Sequence, residues 1–299
     1  MTDFNQLIHK ICNELNIKMT LLSDNWLTLL EKDDQVGYIQ GYKFSLNNHG
    51  IGNIMDDKGL FYDLALNYQF PIIEHYVIFK DYKREDVIKY FHLNNDKLVI
   101  KGNIGTCGMD VYLVNSEELL FKTLDKLFNY EFSVSLSPYY DIENEYRVIV
   151  LNNETRLIYG KIRPIIKGDG IKNVFELAQK FNSNYYTDIK MLENPLYIPK
   201  KDEEIILNWQ FNLSKGAKMF LDIDTKLKEK LNSLALEVSR KFDIVFGSID
   251  IIKTKDDRLL IMEANSGVMM DHFMKLDKNG YNIAYDIYRD AIKLMFEKN

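Results

Sequence analysis

The stretch FGSIDIIKTKDDRLLIMEANSGVMM, residues 246–270, decides how the rest of this chain is read. Residues 248–252 and 259–264 have the apolar, β-branched content of strands, and the polar Lys255-Asp256-Asp257 between them reads as a turn, so the pair forms a hairpin. Side chains alternate between faces along a strand, which turns Asp250 away from Ile249 and Ile251 and puts Glu263 and Asn265 on one face. Three oxygen donors thereby sit near the ends of paired strands. A carboxylate set among Ile, Leu and Met is unfavourable unless solvent or a cation balances its charge. Oxygen donors in this number suit magnesium, which prefers carboxylates plus substrate phosphates to a closed protein cage.

Working outward, 299 residues suffice for two or three subdomains with substantial cores, and 46% hydrophobic with 13% aromatic content marks a globular chain. The net charge of -6 argues against nucleic acid as the main partner. Cys12 and Cys107 are too few for a disulfide framework or a zinc site, and they fit a reducing compartment. The opening MTDFNQLIHKICNELNI lacks the basic region and apolar core of a signal peptide. No apolar run approaches the roughly 20 residues that span a bilayer. A soluble, cytoplasmic protein without a membrane partner is expected.

Toward the N-terminus, residues 4–15 place Phe4, Leu7, Ile8, Ile11, Cys12 and Leu15 at helical spacing. Short strands are expected at 19–22, 26–31 and 36–44. SLNNHGIGN (45–53) reads as a loop because Asn and Gly dominate it, with His49 solvated. Residues 56–67 read as a helix capped by Asp56, and YQFPIIEHYVIF as a strand entered through proline. The expected organisation is a small N-terminal subdomain (1–55), a second unit (56–137) and a third (138–299).

Within the second unit, LVIK (98–101) is an apolar strand ending in Lys101, followed by GNIGTCGMD with Gly102, Gly105 and Gly108. A glycine-rich turn lets backbone amides approach phosphate oxygens, and the strand-borne lysine adds fixed positive charge. It is neither a dinucleotide fingerprint nor a Walker loop, since no helix follows and no Gly-Lys-Ser/Thr is present. Cys107 has no basic partner at catalytic spacing and reads as a small loop residue. A helix over 116–130 opened by Ser116 and a strand at 132–136 closed by Ser137-Pro138 come next. Two strands then flank Asn152-Asn153, with Glu145 and Arg147 on one face of the first and Lys161 and Arg163 on one face of the second. Charges on otherwise apolar strands need solvent or a ligand. Residues 208–220 fit neither helix nor strand and suggest a substrate-side loop, while 225–241 and 281–296 are amphipathic helices.

In this order the pieces resemble the ATP-grasp superfamily of ATP-dependent carboxylate–amine ligases, over about residues 55–270. Asp57-Lys58 looks like the first nucleotide lysine, and Lys101 with GNIGTCGMDV like the second lysine and the phosphate-covering loop. Glu145-Tyr146-Arg147 is similar to the acidic-x-Arg strand, where the acid meets ribose and the arginine lies near phosphates or substrate. Asp250, Glu263 and Asn265 match the magnesium ligands. Arg163-Pro164 before Gly168-Asp169-Gly170, and the segment Asn212-Leu213-Ser214-Lys215-Gly216, resemble the cyanophycin synthetase, glutathione synthetase and RimK-like branch, whose members join amino acids or peptides.

The resemblance implies an α/β (α+β) ATP-grasp fold that holds the nucleotide between two α+β subdomains, with ATP and Mg2+ as cofactors. It implies a small-molecule carboxylate activated as an acyl phosphate and attacked by an amine, and it is compatible with a homo-oligomer. Arg163, Arg147 and Lys101 would carry catalysis; Lys58, Lys101, Gly102, Gly105, Gly108, Ser137, Tyr139 and Glu145 would bind nucleotide. Acyl transfer to a carrier-protein thiol and a non-catalytic nucleotide-binding module are the alternatives. Two departures stand out. Ser137 occupies the position where relatives carry Glu or Gln before the adenine hinge, leaving adenine to backbone groups around Tyr139, and Ser266-Gly267-Val268 replaces the usual Ser-Pro-Gly.

Overall fold

A computed structural model describes residues 2–104, 110–179 and 194–297. The chain opens with a helix, Asp3–Glu14, capped by the Thr2 hydroxyl, which accepts from the Asn5 N–H at 3.2 Å. An antiparallel meander follows: β1 (Lys18–Leu22), β2 (Leu27–Lys32), β3 (Gln35–Gln40) and β4 (Lys43–Phe44). The return strand expected over 36–44 is broken at Gly41, whose φ of +58° takes the chain out of the extended region.

The loop expected at 45–53 is corrected: it contains the start of a helix, His49–Asp56. Asn48 caps it by accepting from the Ile51 N–H at 2.9 Å, and burial of Ile51 and Met55 outweighs the low helix propensity of Gly50 and Gly52. The cap of the next helix, Lys58–Asn67, is therefore Asp57 and not Asp56.

A second antiparallel sheet has the order β5-β8-β6-β7, from β5 (Tyr76–Phe79), β6 (Leu98–Gly102), β7 (Tyr112–Val114) and β8 (Ser133–Pro138). Helices Arg84–Leu93, in a stretch the sequence left unassigned, and Glu117–Leu127 cover one face through Val87, Phe91, Leu120 and Leu124 against Ile100, Val134 and Leu136. Strand alternation sends Lys101 and its cross-strand partner Ser135 to the other face.

The third sheet is the largest. It comprises β9 (Ile142–Leu151), β10 (Glu154–Ile162), β13 (Lys218–Phe220), β14 (Phe246–Thr254) and β15 (Leu259–Asn265), in the order β13-β10-β9-β14-β15. Between β10 and β13 in sequence, β11 (Ile165–Lys167) and β12 (Glu204–Ile206) form a separate pair. One face of the large sheet, with Tyr146, Val148, Ile249 and Ile251, packs on helices Lys58–Asn67 and Thr225–Phe242. On the opposite face, Ile149, Leu157 and Phe246 share a core with the N-terminal helix, the meander and the last helix, Gly280–Glu297. That cover reaches only part of the face. Continuing along the same strands beyond it come Arg147 and Glu145 on β9, Asp250 on β14 and Lys161 on β10. Among the described residues no helix is long and apolar enough to cross a membrane.

Candidate functional site

The register of the large sheet lines up its charged side chains. Asp250 is the direct partner of Arg147 on one side and of Glu263 on the other. Arg147 Nε and Nη2 donate to Asp250 Oδ1 and Oδ2 at 2.8 and 2.6 Å, a two-pronged pair on a carboxylate that is 1% exposed. Lys161, cross-strand from Glu145, forms an ion pair with it and reaches within 3.6 Å of Asp250 Oδ1. Asn265 Nδ2 lies 3.4 Å from Asp250 Oδ2. Burial by itself pushes the Asp250 carboxyl up, but Arg147 and Lys161 outweigh it and hold the group below its ordinary value. For Glu145 burial prevails over the attraction of Lys161, and its pKa is raised.

Two lysines approach from the facing side. Lys101, near the end of β6, places Nζ 3.2 Å from Glu263 Oε2. Lys58 opens its helix, and its Nζ donates to the Asn103 carbonyl at 3.2 Å. The Gly59 N–H donates to Asn103 Oδ1 at 3.0 Å, so the residues just after Lys101 cap the helix that carries Lys58. Burial lowers Lys58 to about 8, against an opposing pull from Glu263. Burial would raise Glu263, but Lys101 and Lys58 together hold it far below the usual carboxylate range.

The structure thus gathers Lys58, Lys101, Glu145, Arg147, Asp250, Glu263 and Asn265. Others of the expected set stand apart. Arg163 donates to the Ile142 carbonyl and stacks over Phe211 at 4.8 Å, outside the Arg147–Asp250 row. Ser137 is buried and bonded to His75, its Oγ 3.0 Å from Nδ1. The Tyr139 N–H donates to the Lys97 carbonyl at 3.2 Å, with Lys97 Nζ 3.7 Å from the centre of its ring. Gly102 pairs with Val134, and a Cβ there would sit 2.6 Å from Glu131 Oε1. Gly105, Gly108 and Cys107 lie outside the described residues. Sequence reading passed over Lys161, Asn103 and His75 as site residues; for Lys161 the available signal was its expected place on one strand face with Arg163.

Whether these residues suit a magnesium ion follows from the donors themselves. Asp250, Glu263 and Asn265 give two carboxylates and an amide on one face, too few to fill six positions, and among the described residues no group of three or more His, Cys, Asp or Glu converges on a metal site. Such a set fits a hard cation that completes its shell with phosphate oxygens, which the surrounding cations would also attract.

Residues 207–290 match the RimK-like ATP-grasp domain. The bifunctional glutathione biosynthesis protein GshAB of Listeria welshimeri is 24% identical over 294 residues, covering 87% of this chain and 37% of that protein. This chain therefore spans little more than a third of the curated relatives it matches. Among solved structures, the bifunctional glutathione synthetase of Pasteurella multocida superposes with a TM-score of 0.54 at 20% identity, covering 98% of this chain and 43% of that one. The D-alanine–D-alanine ligase of Bacillus anthracis gives a TM-score of 0.55 at 15% identity over 82% of this chain and 67% of that one. At these identities the likeness is one of fold.

Proposed function

We propose, from the premise that this is an ATP-grasp protein with a RimK-like domain, that it is an ADP-forming ligase which activates a carboxylate with ATP and joins it to an amine of an amino acid or peptide. The observation that carries the reading is the opposition across one cleft of Lys101 to Glu263, beside the Arg147–Asp250 pair. Four buried or half-buried cations meet three carboxylates there, and a polyphosphate with a divalent cation is the ligand whose charges fit both sets.

A carboxylate is a poor electrophile, and transfer of the γ-phosphoryl group makes it an acyl phosphate. Lys101 and Lys58 would hold the phosphate oxygens from the β6 side, where fixed positive charge in a water-poor cleft lowers the barrier. Arg147 would exchange part of its hold on Asp250 for the transferring group. Arg163, two residues beyond Lys161 and half-buried, is the candidate for the substrate carboxylate, because a planar guanidinium matches planar oxyanions. Magnesium held by Asp250, Glu263 and Asn265, when bound, supplies charge neutralisation for the phosphates.

The test is ADP release from Mg-ATP with the twenty amino acids and short acidic peptides, with hydroxylamine present to trap acyl phosphates. Nucleotide-dependent hydroxamate is expected with at least one carboxylate. In Glu263→Gln turnover should fall by about 10²-fold or more while the melting temperature stays near that of the parent. Tight Mg-ADP binding without hydroxamate from any carboxylate would overturn ligation in favour of a binding module.

A further inference from the structure

His75 belongs to none of the expected functional sets, yet it sits between the two sheets, bonded to Ser135 and Ser137 on one and to the Met262 carbonyl on the other, and is 5% exposed. It follows a segment that runs along the edge of β15: the Ile261 N–H donates to the Pro71 carbonyl at 2.7 Å, and the Ile73 N–H donates to the Ile261 carbonyl at 2.9 Å. The pairing of β15 with β14 is irregular at this point. Glu263 is opposite Asp250 and Ile261 is opposite Ile251, so Met262 has no cross-strand partner and forms a bulge. The bulge has a visible consequence. Glu263 faces the cleft, whereas Ile261, two residues earlier, faces the opposite core with Ile251.

His75 Nε2 lies 3.3 Å from the carbonyl oxygen of Met262. A carbonyl only accepts, so the Nε2 proton is donated there and Nδ1 is left as an acceptor. Two hydroxyls reach that acceptor, Ser135 Oγ at 2.8 Å and Ser137 Oγ at 3.0 Å. Ser135 is the cross-strand partner of Lys101, and Lys101 bonds Glu263, the residue after Met262. The contacts close a ring through Met262, His75, Ser135, Lys101 and Glu263. Burial, reinforced by the nearby Lys101 charge, pushes the imidazole down to about 3, so it is neutral at working pH and able both to donate and to accept.

We propose that His75 is a positioning residue of the nucleotide site: it ties the Met262 bulge to Ser135 and Ser137 and thereby fixes how Glu263 and Lys101 face each other across the cleft. This rests on the reading of the cleft as a nucleotide site. It also gives Ser137 a task, since its hydroxyl is bonded to His75.

The experiment is Mg-ADP titration of the full chain by calorimetry, with melting temperatures measured in parallel. His75→Leu, similar in bulk but unable to bond, should weaken Mg-ADP by about tenfold, because the bulge carbonyl is left unpaired and Glu263 loses its aim. His75→Gln, which keeps a donor and an acceptor, should recover most of the affinity. The Ser135→Ala/Ser137→Ala double variant should lose affinity as His75→Leu does, and it keeps the test open if the leucine variant fails to fold. In a Lys101→Ala background His75→Leu should have little further effect on affinity while its effect on melting is unchanged. A purely structural histidine would instead lower melting without this coupling. Wild-type affinity in the leucine or double-serine variant, or losses that add to that of Lys101→Ala, would overturn the proposal. Failure of the wild-type chain to bind Mg-ADP would instead overturn the nucleotide reading beneath it.

Discussion

The two sheets that face each other across the cleft hold their charges in different ways. On the large sheet two buried pairs form between neighbouring strands of the same sheet: Arg147 with Asp250, and Lys161 with Glu145. On the smaller sheet Lys101 finds its carboxylate on the other side of the cleft, at Glu263. These two pairs make the β10-β9-β14 part of the large sheet a platform whose buried charges are balanced within it. The smaller sheet carries a cation whose partner is supplied by contact between the sheets, and that cation keeps a partner if a phosphate replaces Glu263. Removing one partner on the first side would leave a buried charge unpaired, whereas on the second side a ligand could stand in for the partner.

The largest expected effect tests the platform. Asp250→Ala removes a fully buried carboxylate and strands the Arg147 guanidinium beside Lys161, so a loss of about 3–5 kcal/mol in urea unfolding is expected. A loss below about 1 kcal/mol would mean that water reaches the pair, as it does for an exposed one, and the contrast between the sheets would vanish.

The platform was also the more legible side. In residues 246–270 the alternation of Ile and Asp, the polar turn and the Glu-x-Asn pair are local signals, and β14 and β15 lie where they point. Asp250 and Glu263 face each other only because Met262 bulges out between them and the turn; counted from the turn alone, Asp250 would stand opposite Met262. Legibility stopped where the register shifts. Counted from the Asn152-Asn153 turn, Lys161 would stand opposite Asn144; the irregularity between Thr155 and Leu157 moves it opposite Glu145 and makes the ion pair. The Met262 bulge was hidden for the same reason, and with it the task of His75, which depends on strands about 60 and 187 positions away. Composition misled at 45–53, where Asn and Gly suggested a loop but an Asn cap and two buried apolar side chains make a helix. Arg163, expected on one strand face with Lys161, lies just past the end of β10 at Ile162, where the Ile142 carbonyl and Phe211 hold its guanidinium, and neither partner is readable from spacing.

A second, smaller effect sharpens the facing side. Lys58 is lowered to about 8 by burial, with Glu263, Asp57 and Asp56 raising it and Lys101 lowering it. Its charge is therefore present at pH 7 and lost as pH rises through about 8, and Mg-ADP affinity should weaken by up to roughly tenfold by pH 9. Stability should move the other way. Between about 8 and the ordinary lysine value the unfolded chain keeps a proton that the folded chain has released, so this group's contribution to unfolding free energy rises with pH. Affinity that falls while stability at that position rises separates the lysine from general alkaline unfolding, and Lys58→Met should flatten both trends. A pH-independent affinity between 7 and 9 in the wild-type chain would remove Lys58 from the phosphate grip.

The smallest effect is expected at an ion pair with the same architecture in another setting. Lys18 and Glu31 are direct partners on antiparallel β1 and β2, 2.7 Å apart, as Lys161 and Glu145 are partners on β10 and β9. Geometry is shared, and burial is not: Lys18 is 72% exposed and Lys161 only 6%. If desolvation decides what a pair is worth, Lys18→Met should change unfolding free energy by roughly 0.2–1 kcal/mol, most of it screened away in molar salt. Lys161→Met leaves Glu145 buried without its counter-charge and should weaken the fold several times more. Equal losses at the two positions would show that cross-strand geometry and not burial sets the strength.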